Sequence, residues 1–157
     1  MTDIRQDRPS PLPWPPIIYA IALAACWILE SIVVLPRLPE SLILRWIGAV
    51  VFLAGLGLGL KGFADLRAAG TTMHPTGAAS ALVTDGVYAW SRNPLYMAAL
   101  IAFAGLGLAL RSTWLLISVP CMAVALSRLA IEPEEAYLAR RFGGAYLQYT
   151  ARVRRWI

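Results

Sequence analysis

The chain has 157 residues, of which 59% are apolar and only 15% are charged, and its net charge is +5. Soluble domains average about 45–50% apolar and about 25% charged residues, so this composition favours a membrane protein. Nucleic-acid binding is not expected, because the arginines flank apolar stretches instead of sharing one soluble face. The length suits one domain over residues 1–157, in which residues 1–64 form a tail and two spans and residues 65–157 form the rest of the domain.

The N-terminal residues and the cysteines exclude some simple alternatives. Residues 1–16 are polar and proline-rich, and they lack the short apolar core and cleavage site of a secretory signal. Cys26 and Cys121 lie in apolar stretches without a CxxC neighbour. We therefore expect small buried thiols, with no disulfide and no metal site.

Four apolar stretches predict transmembrane helices, at about residues 17–35, 42–60, 95–110 and 113–131. The third is short, and Pro120 is expected to interrupt the fourth. Only Arg111-Ser112 joins the last two, which predicts a tight antiparallel helical hairpin. The predicted fold is all-α: about four transmembrane helices and a cytoplasmic C-terminal helix, with a break at Gly143-Gly144. The second helix should continue a turn or two past the membrane, and Pro94 should begin the third.

The basic residues predict the orientation. Four spans put both termini on one side, together with eleven lysines and arginines, against three on the other side. This bias indicates that both termini are cytoplasmic. The eleven are Arg5, Arg8, Lys61, Arg67, Arg92, Arg128, Arg140, Arg141, Arg152, Arg154 and Arg155, and the three are Arg37, Arg45 and Arg111.

Two features of the spans leave alternatives open. Gly55-x-x-x-Gly59 allows close helix approach, either within the bundle or in a homodimer through the glycine-rich helices. Glu30 lies within the first span, where a carboxyl group faces a substrate cavity, sits near the interface, or is kept protonated and hydrogen-bonded.

Two polar blocks stand out from the apolar background. Each has a plain explanation: Arg92 as a membrane anchor, Tyr88, Trp90 and Tyr96 as an interfacial aromatic belt, and Glu134-Glu135 as acids at a helix start. Those explanations do not account for the spacing of both blocks. The first block is Leu82, Val83, Thr84, Gly86, Val87, Tyr88, Ala89, Trp90, Arg92, Asn93, Pro94 and Tyr96; the second is Glu134, Glu135, Leu138, Phe142, Gly143, Tyr146, Tyr149 and Val153.

These blocks, with the weaker Ala69-Gly70-x-x-x-His74, resemble the isoprenylcysteine carboxyl methyltransferases and their relatives, the phospholipid N-methyltransferases. Members are integral membrane enzymes that use S-adenosylmethionine. The resemblance covers about residues 65–157, with Asn93 where the isoprenylcysteine enzymes usually have histidine and bacterial relatives often carry asparagine. It implies a bacterial inner-membrane enzyme with Arg92 and Glu135 as catalytic residues. The implied cofactor-binding residues are His74, Leu82, Val83, Gly86, Tyr88, Arg92, Asn93, Pro94, Tyr96, Glu134 and Glu135.

The residue types suit this cofactor. Glu134 and Glu135 are acceptors for ribose hydroxyls or the ammonium group, and an aromatic face such as that of Tyr88 attracts a sulfonium cation. Arg92 can bind a carboxylate with two parallel hydrogen bonds, either the carboxylate of the cofactor or that of the acceptor. Backbone near Gly86 can approach a ligand closely. His74 is a candidate base for an amine or thiol acceptor, or a plain loop histidine.

The sequence therefore predicts methyl transfer from S-adenosylmethionine to a lipophilic acceptor at the cytoplasmic membrane face. The acceptor resembles an isoprenylcysteine carboxylate, or a phospholipid or isoprenoid. The alternative is a non-catalytic lipid-binding or assembly module that keeps the fold. A transporter has little support, since no inverted repeat is visible.

Overall fold

The computed structural model describes residues 12–71 and 79–157, and all regular structure in these ranges is helical. The all-α prediction is therefore confirmed. A 3-10 helix, Gly86–Ala89, precedes the third α-helix, and a π-helical turn, Ser127–Ile131, joins the fourth to the fifth. The α-helices are α1 (Trp14–Ile32), α2 (Leu42–Ala68), α3 (Pro94–Leu110), α4 (Thr113–Leu126), α5 (Glu132–Phe142) and α6 (Gly144–Arg152).

Local sequence explains where these helices begin. The hydroxyl of Ser41 accepts from the backbone N–H of Leu44 at 3.3 Å at the start of α2, and that of Ser112 accepts from Leu115 at 3.1 Å at the start of α4. Serine is favoured at such positions because its oxygen satisfies a free helical N–H group. Pro94 is the first residue of α3, as predicted, because its missing N–H needs no partner there.

Two predicted helix boundaries need correction. The first span, predicted at residues 17–35, begins earlier, at Trp14, because its prolines fit the first helical turn. It also ends earlier, at Ile32. The predicted interruption at Pro120 is wrong, since α4 continues through that residue. The helix runs on through the π-helical turn to Phe142, giving 30 continuous residues. Proline is tolerated in membrane helices because neighbouring groups satisfy the freed backbone.

The helices have the length and surface of a membrane bundle. Within the described residues, three helices are long and apolar enough to cross a membrane: Trp14–Ile32, Leu42–Ala68 and Thr113–Phe142. The third predicted span, α3, has 17 residues and is a shorter apolar helix. Many large apolar side chains, such as that of Trp27, are exposed, as expected for contact with lipid.

Small residues let α2 and α3 pack closely. Gly48, Gly55 and Gly62 are the buried residues of α2. A Cβ added to Gly55 would lie 2.6 Å from the backbone nitrogen of Ala102 in α3, so only glycine fits there. Gly57 meets no atom within 4 Å. Packing within the bundle therefore uses Gly55, and a homodimer through the glycine-rich helices stays a prediction.

The hairpin between α3 and α4 is tight, as predicted. Arg111 adopts the left-handed conformation with φ 60°, and its Nε donates to the carbonyl of Leu38 at 2.9 Å. The hydroxyl of Thr113 donates to the carbonyl of Pro36 at 2.6 Å. The hairpin thus holds the extended segment between α1 and α2. At the other end, the predicted break falls at Gly143, with φ 51°, between α5 and α6.

Candidate active site

A cavity of about 690 Å³ lies where the first turns of α1, the second half of α2, the segment 79–96 and α5 and α6 meet. Ligand sites usually have volumes of about 300–1,000 Å³, so the cavity is large enough for a cofactor or part of a lipid. Most of its walls are apolar. Its charged lining residues, among those described, are Arg92, Glu134 and Glu135.

The loop before α3 is fixed by helices on two sides. From α2, the Asp65 carboxylate accepts from the backbone N–H of Val87 at 3.0 Å. Gly86 has φ 61°, and a side chain there would collide with that carboxylate. From α6, the Tyr149 hydroxyl donates to the carbonyl of Tyr88 at 2.7 Å. The 3-10 helix that carries Tyr88 is therefore held in a defined position beside the cavity.

Glu135 lies between two arginines. Its Oε1 is 3.2 Å from Nη1 of Arg92, and its Oε2 is 2.6 Å from Nη2 of Arg155. Nε of Arg155 also donates to Oε1 of Glu135 at 3.2 Å, so this arginine binds the carboxylate with two nitrogens. Such paired, charge-assisted hydrogen bonds fix the orientation of both groups.

The C-terminal segment, residues 153–157, lies against the start of α3. The backbone N–H of Arg92 donates to the carbonyl of Arg154 at 3.1 Å. The Asn93 side chain donates to the carbonyl of Arg155 at 3.0 Å, and the hydroxyl of Ser91 donates to the same oxygen at 3.3 Å. Ser91 and Asn93 are buried, so these bonds are shielded from solvent.

Two polar groups of the cavity retain bonding capacity. Glu134 accepts from the Tyr96 hydroxyl at 2.7 Å, and no lysine or arginine in the described ranges forms an ion pair with it. Nε of Arg92 is buried and has no hydrogen-bond partner in the part of the chain that the structure describes. A buried donor without a partner is costly, so both groups are suited to a bound ligand.

The protonation states of the surrounding groups follow from their environments. Burial raises the pKa of Tyr88 and of Tyr149 above the ordinary tyrosine value. Burial, followed by the negative charge of Glu135, raises the pKa of Tyr146. These phenols stay neutral at physiological pH. The hydrogen bond to Glu135 raises the pKa of Arg155, so this side chain stays charged.

The structure brings most of the sequence-predicted site residues together. Gly86 does not line the cavity and instead contacts Asp65. His74 lies outside the described residues. The predicted residues that line the cavity together are Leu82, Val83, Tyr88, Arg92, Asn93, Pro94, Tyr96, Glu134 and Glu135. Their roles in binding and catalysis stay predictions.

Sequence reasoning missed two residues that organise the site. Asp65 was not singled out, although it is an acid in the polar extension of α2. Arg155 was counted only among the basic residues that predict the orientation, but it pairs with Glu135. Its partner lies on another helix, so no local pattern identifies it. Glu30 is exposed near the end of α1 and does not line the cavity of the candidate site; it lines a separate cavity of about 260 Å³ together with Arg37 and Trp114.

The bundle and its cavity define the class: an integral membrane protein with a candidate ligand site, largely apolar and with three charged lining residues in the described ranges, at one end of its helices. The family model for phospholipid methyltransferase matches residues 43–145, which is more than half of the chain. The chain therefore belongs to the phospholipid methyltransferase family and is a membrane methyltransferase of the phospholipid or isoprenylcysteine type. The match includes most of α2, in which no motif was recognised. Among curated proteins, no relative matches the chain.

Proposed function

We propose that the protein transfers a methyl group from S-adenosylmethionine to a lipophilic acceptor at the cytoplasmic membrane face. The observation that carries the proposal is a pair of polar groups with spare bonding capacity in one apolar cavity: the buried Nε of Arg92 and the half-buried carboxylate of Glu134. The cofactor has a carboxylate for the guanidinium, and an ammonium group and ribose hydroxyls for the carboxylate. Charge complementarity of this kind supports binding of the whole cofactor.

The aromatic lining supports the same assignment. Tyr88, Tyr96, Tyr146 and Tyr149 all contribute to the cavity walls. A cation over an aromatic face gains about 0.5–2 kcal/mol, and adenine packs well on flat apolar surfaces. Leu82 and Val83 supply further apolar wall from the loop. The described residues thus fit the cation, the aromatic ring and the polar head of the cofactor.

When bound, S-adenosylmethionine supplies a methyl group that moves in line to an acceptor lone pair as the carbon–sulfur bond breaks. The chain then has mainly to orient the two reactants. Holding them aligned lowers the activation barrier by several kcal/mol, because their translational and rotational entropy is lost on binding and not in the reaction step. Arg92 and Glu135, locked together and held by Arg155, suit this role because their positions are fixed. A carboxylate acceptor needs no base, whereas an amine or thiol acceptor needs one, for which His74 is the candidate.

The acceptor would reach the cavity from the lipid. Leu60 and Phe63 of α2 line the cavity and are also exposed, with 72% and 46% of their surfaces accessible. Pro16 and Tyr19 of α1 line it from another side. Part of the cavity wall is therefore also bilayer-facing surface, which supports an acceptor with an apolar chain, such as a phospholipid or an isoprenoid. The distribution of basic residues supports a cytoplasmic position for this end and for both termini.

The first experiment is binding of S-adenosylmethionine and S-adenosylhomocysteine to the detergent-purified protein by calorimetry. We expect micromolar binding of both, a loss of at least about tenfold in Arg92→Ala and Glu134→Gln, and no change in Trp90→Ala. Trp90 is a matched control from the same loop, because 82% of its surface is exposed and it does not line the cavity. Transfer of a labelled methyl group to phosphatidylethanolamine or an isoprenoid acid then identifies the acceptor. Folded protein that binds neither compound would instead indicate the non-catalytic lipid-binding module.

A further inference from the structure

The C-terminal segment, residues 153–157, places the side chain of Arg155 next to the site. Arg155 belongs to neither of the two polar blocks. Arg155 binds both oxygens of Glu135, and Glu135 in turn binds Arg92. The order Arg155–Glu135–Arg92 places Arg155 behind the carboxylate, because Arg92 and Glu135 line the cavity and Arg155 does not. Arg155 therefore reaches the ligand site only through Glu135.

The backbone of the same segment is fixed by the loop before α3. Ser91 and Asn93 both donate to the Arg155 carbonyl, and the backbone N–H of Arg92 donates to the carbonyl one residue earlier. Three hydrogen bonds thus set the main chain from which the Arg155 side chain extends. The side-chain amide of Asn93 thus fixes the C-terminal segment, and this structural role does not involve a substrate.

We propose that Arg155 is a positioning residue of the cofactor site: it holds the Glu135 carboxylate in the orientation in which that carboxylate aligns Arg92 toward the cavity. This inference rests on the proposed function. Without Arg155, the Glu135 side chain has one cationic partner in place of two and gains rotational freedom. Arg92 loses a fixed partner in consequence, and its buried Nε is no longer presented to a ligand in one geometry.

The test uses the full-length protein in detergent and measures the Kd for S-adenosylhomocysteine together with the Tm of the ligand-free protein. The variants are Arg155→Ala, Arg155→Lys, Glu135→Gln and the double variant Arg155→Ala with Glu135→Gln. Arg154→Ala is the matched control, because it removes the same charge from the neighbouring position. The Arg154 side chain is exposed, and its structural contact is made by its main-chain carbonyl.

We expect Arg155→Ala to weaken binding by about 10- to 100-fold, the range found when outer hydrogen-bond partners of metal-binding residues are removed. Arg154→Ala should bind within about twofold of the unaltered protein. Arg155→Lys should lose about three- to tenfold, because an ammonium group cannot match a carboxylate with two fixed donors. In the Glu135→Gln background, Arg155→Ala should change the Kd by less than about twofold, because its effect passes through Glu135.

Three results would overturn the inference: unchanged binding in Arg155→Ala, an equal loss in both backgrounds, or an equal loss in Arg154→Ala. If Arg155→Ala fails to fold, the lysine variant decides, and binding as tight as that of the unaltered protein refutes the role. Failure of the proposed function has a different signature, since the unaltered and folded protein then binds neither cofactor nor product.

Discussion

The close contact between α2 and α3 provides a test in which two substitutions in one helix should differ clearly in their effects on stability. Gly55→Ala and Gly57→Ala add the same methyl group to the same helix. Both gain about 1 kcal/mol of helix propensity, so this contribution cancels in the comparison. At position 55 the new Cβ would lie 2.6 Å from the Ala102 nitrogen and 2.8 Å from the Ala98 carbonyl oxygen, whereas at position 57 it meets nothing within 4 Å.

Because the atoms that block position 55 belong to the backbone, the two helices must move apart. Overpacking of this kind costs about 1–3 kcal/mol. Gly57→Ala should therefore stabilise the protein by about 1 kcal/mol, and Gly55→Ala should lie about 1–3 kcal/mol below it. For a chain of this length 1 kcal/mol shifts the Tm by about 2–4 °C, so the two variants should differ by about 2–12 °C. Thermal unfolding in one detergent measures this difference, and a Tm of Gly55→Ala at or above that of Gly57→Ala would refute the close packing.

Three further predictions concern the site. Tyr96→Phe removes the hydroxyl that donates to the half-buried carboxylate of Glu134, so it should destabilise the protein by about 1–3 kcal/mol in chemical or thermal unfolding. An unchanged Tm would contradict the bond. Tyr149→Phe removes the hydrogen bond to the Tyr88 carbonyl and should lower the free energy of unfolding by about 0.5–1.5 kcal/mol. In the double variant Tyr149→Phe with Gly86→Ala, the total loss should be smaller than the sum of the two single losses, because both changes release the same loop. The folded-state pKa values of Tyr88 and Tyr149 are raised, so their contribution to stability should be complete below the unfolded pKa of about 10 and be lost as pH rises above it. Phenolate absorbance during an alkaline titration checks this, and ionisation of all tyrosines near pH 10 without unfolding would contradict it.

The sequence predicted the helices because membrane burial leaves a strong local signal. Apolar runs of the right length, together with Pro94 at a helix start and the two-residue connection Arg111-Ser112, were enough to place α1 to α4 and the hairpin. The prediction at Pro120 failed because proline breaks helices in water, where no neighbouring helix satisfies the freed backbone. The π-helical turn, Ser127–Ile131, and the continuity of α4 with α5 have no marker in the local sequence.

The candidate site was predictable only in part, for the same reason. Arg92, Glu134 and Glu135 stand in motifs, so they were identified before the structure showed them around one cavity. Arg155 and Asp65 act through partners far away in the chain, at Glu135 and Val87. Spacing within a helix or loop does not encode such pairs. The glycines of the α2–α3 contact were also found incompletely, because the contact of Gly48 with Gly105 and Ala109, and that of Gly62 with Leu95, become visible only in the structure.

The lengths of two helices set the depth at which chemistry can occur. At about 1.5 Å per residue, α2 with 27 residues is about 40 Å long, and the 30-residue helix Thr113–Phe142 is about 45 Å long. The hydrocarbon core is only about 30 Å thick, so each helix extends two or three turns beyond it. Asp65, Glu134 and Glu135 lie on these extensions. We expect the reacting atoms to meet at the level of the lipid headgroups, so that an acceptor keeps its chains in the bilayer and never has to be extracted. Bilayer thickness should then tune the reaction rate, since a thicker membrane draws the extensions, and the groups they carry, into hydrocarbon.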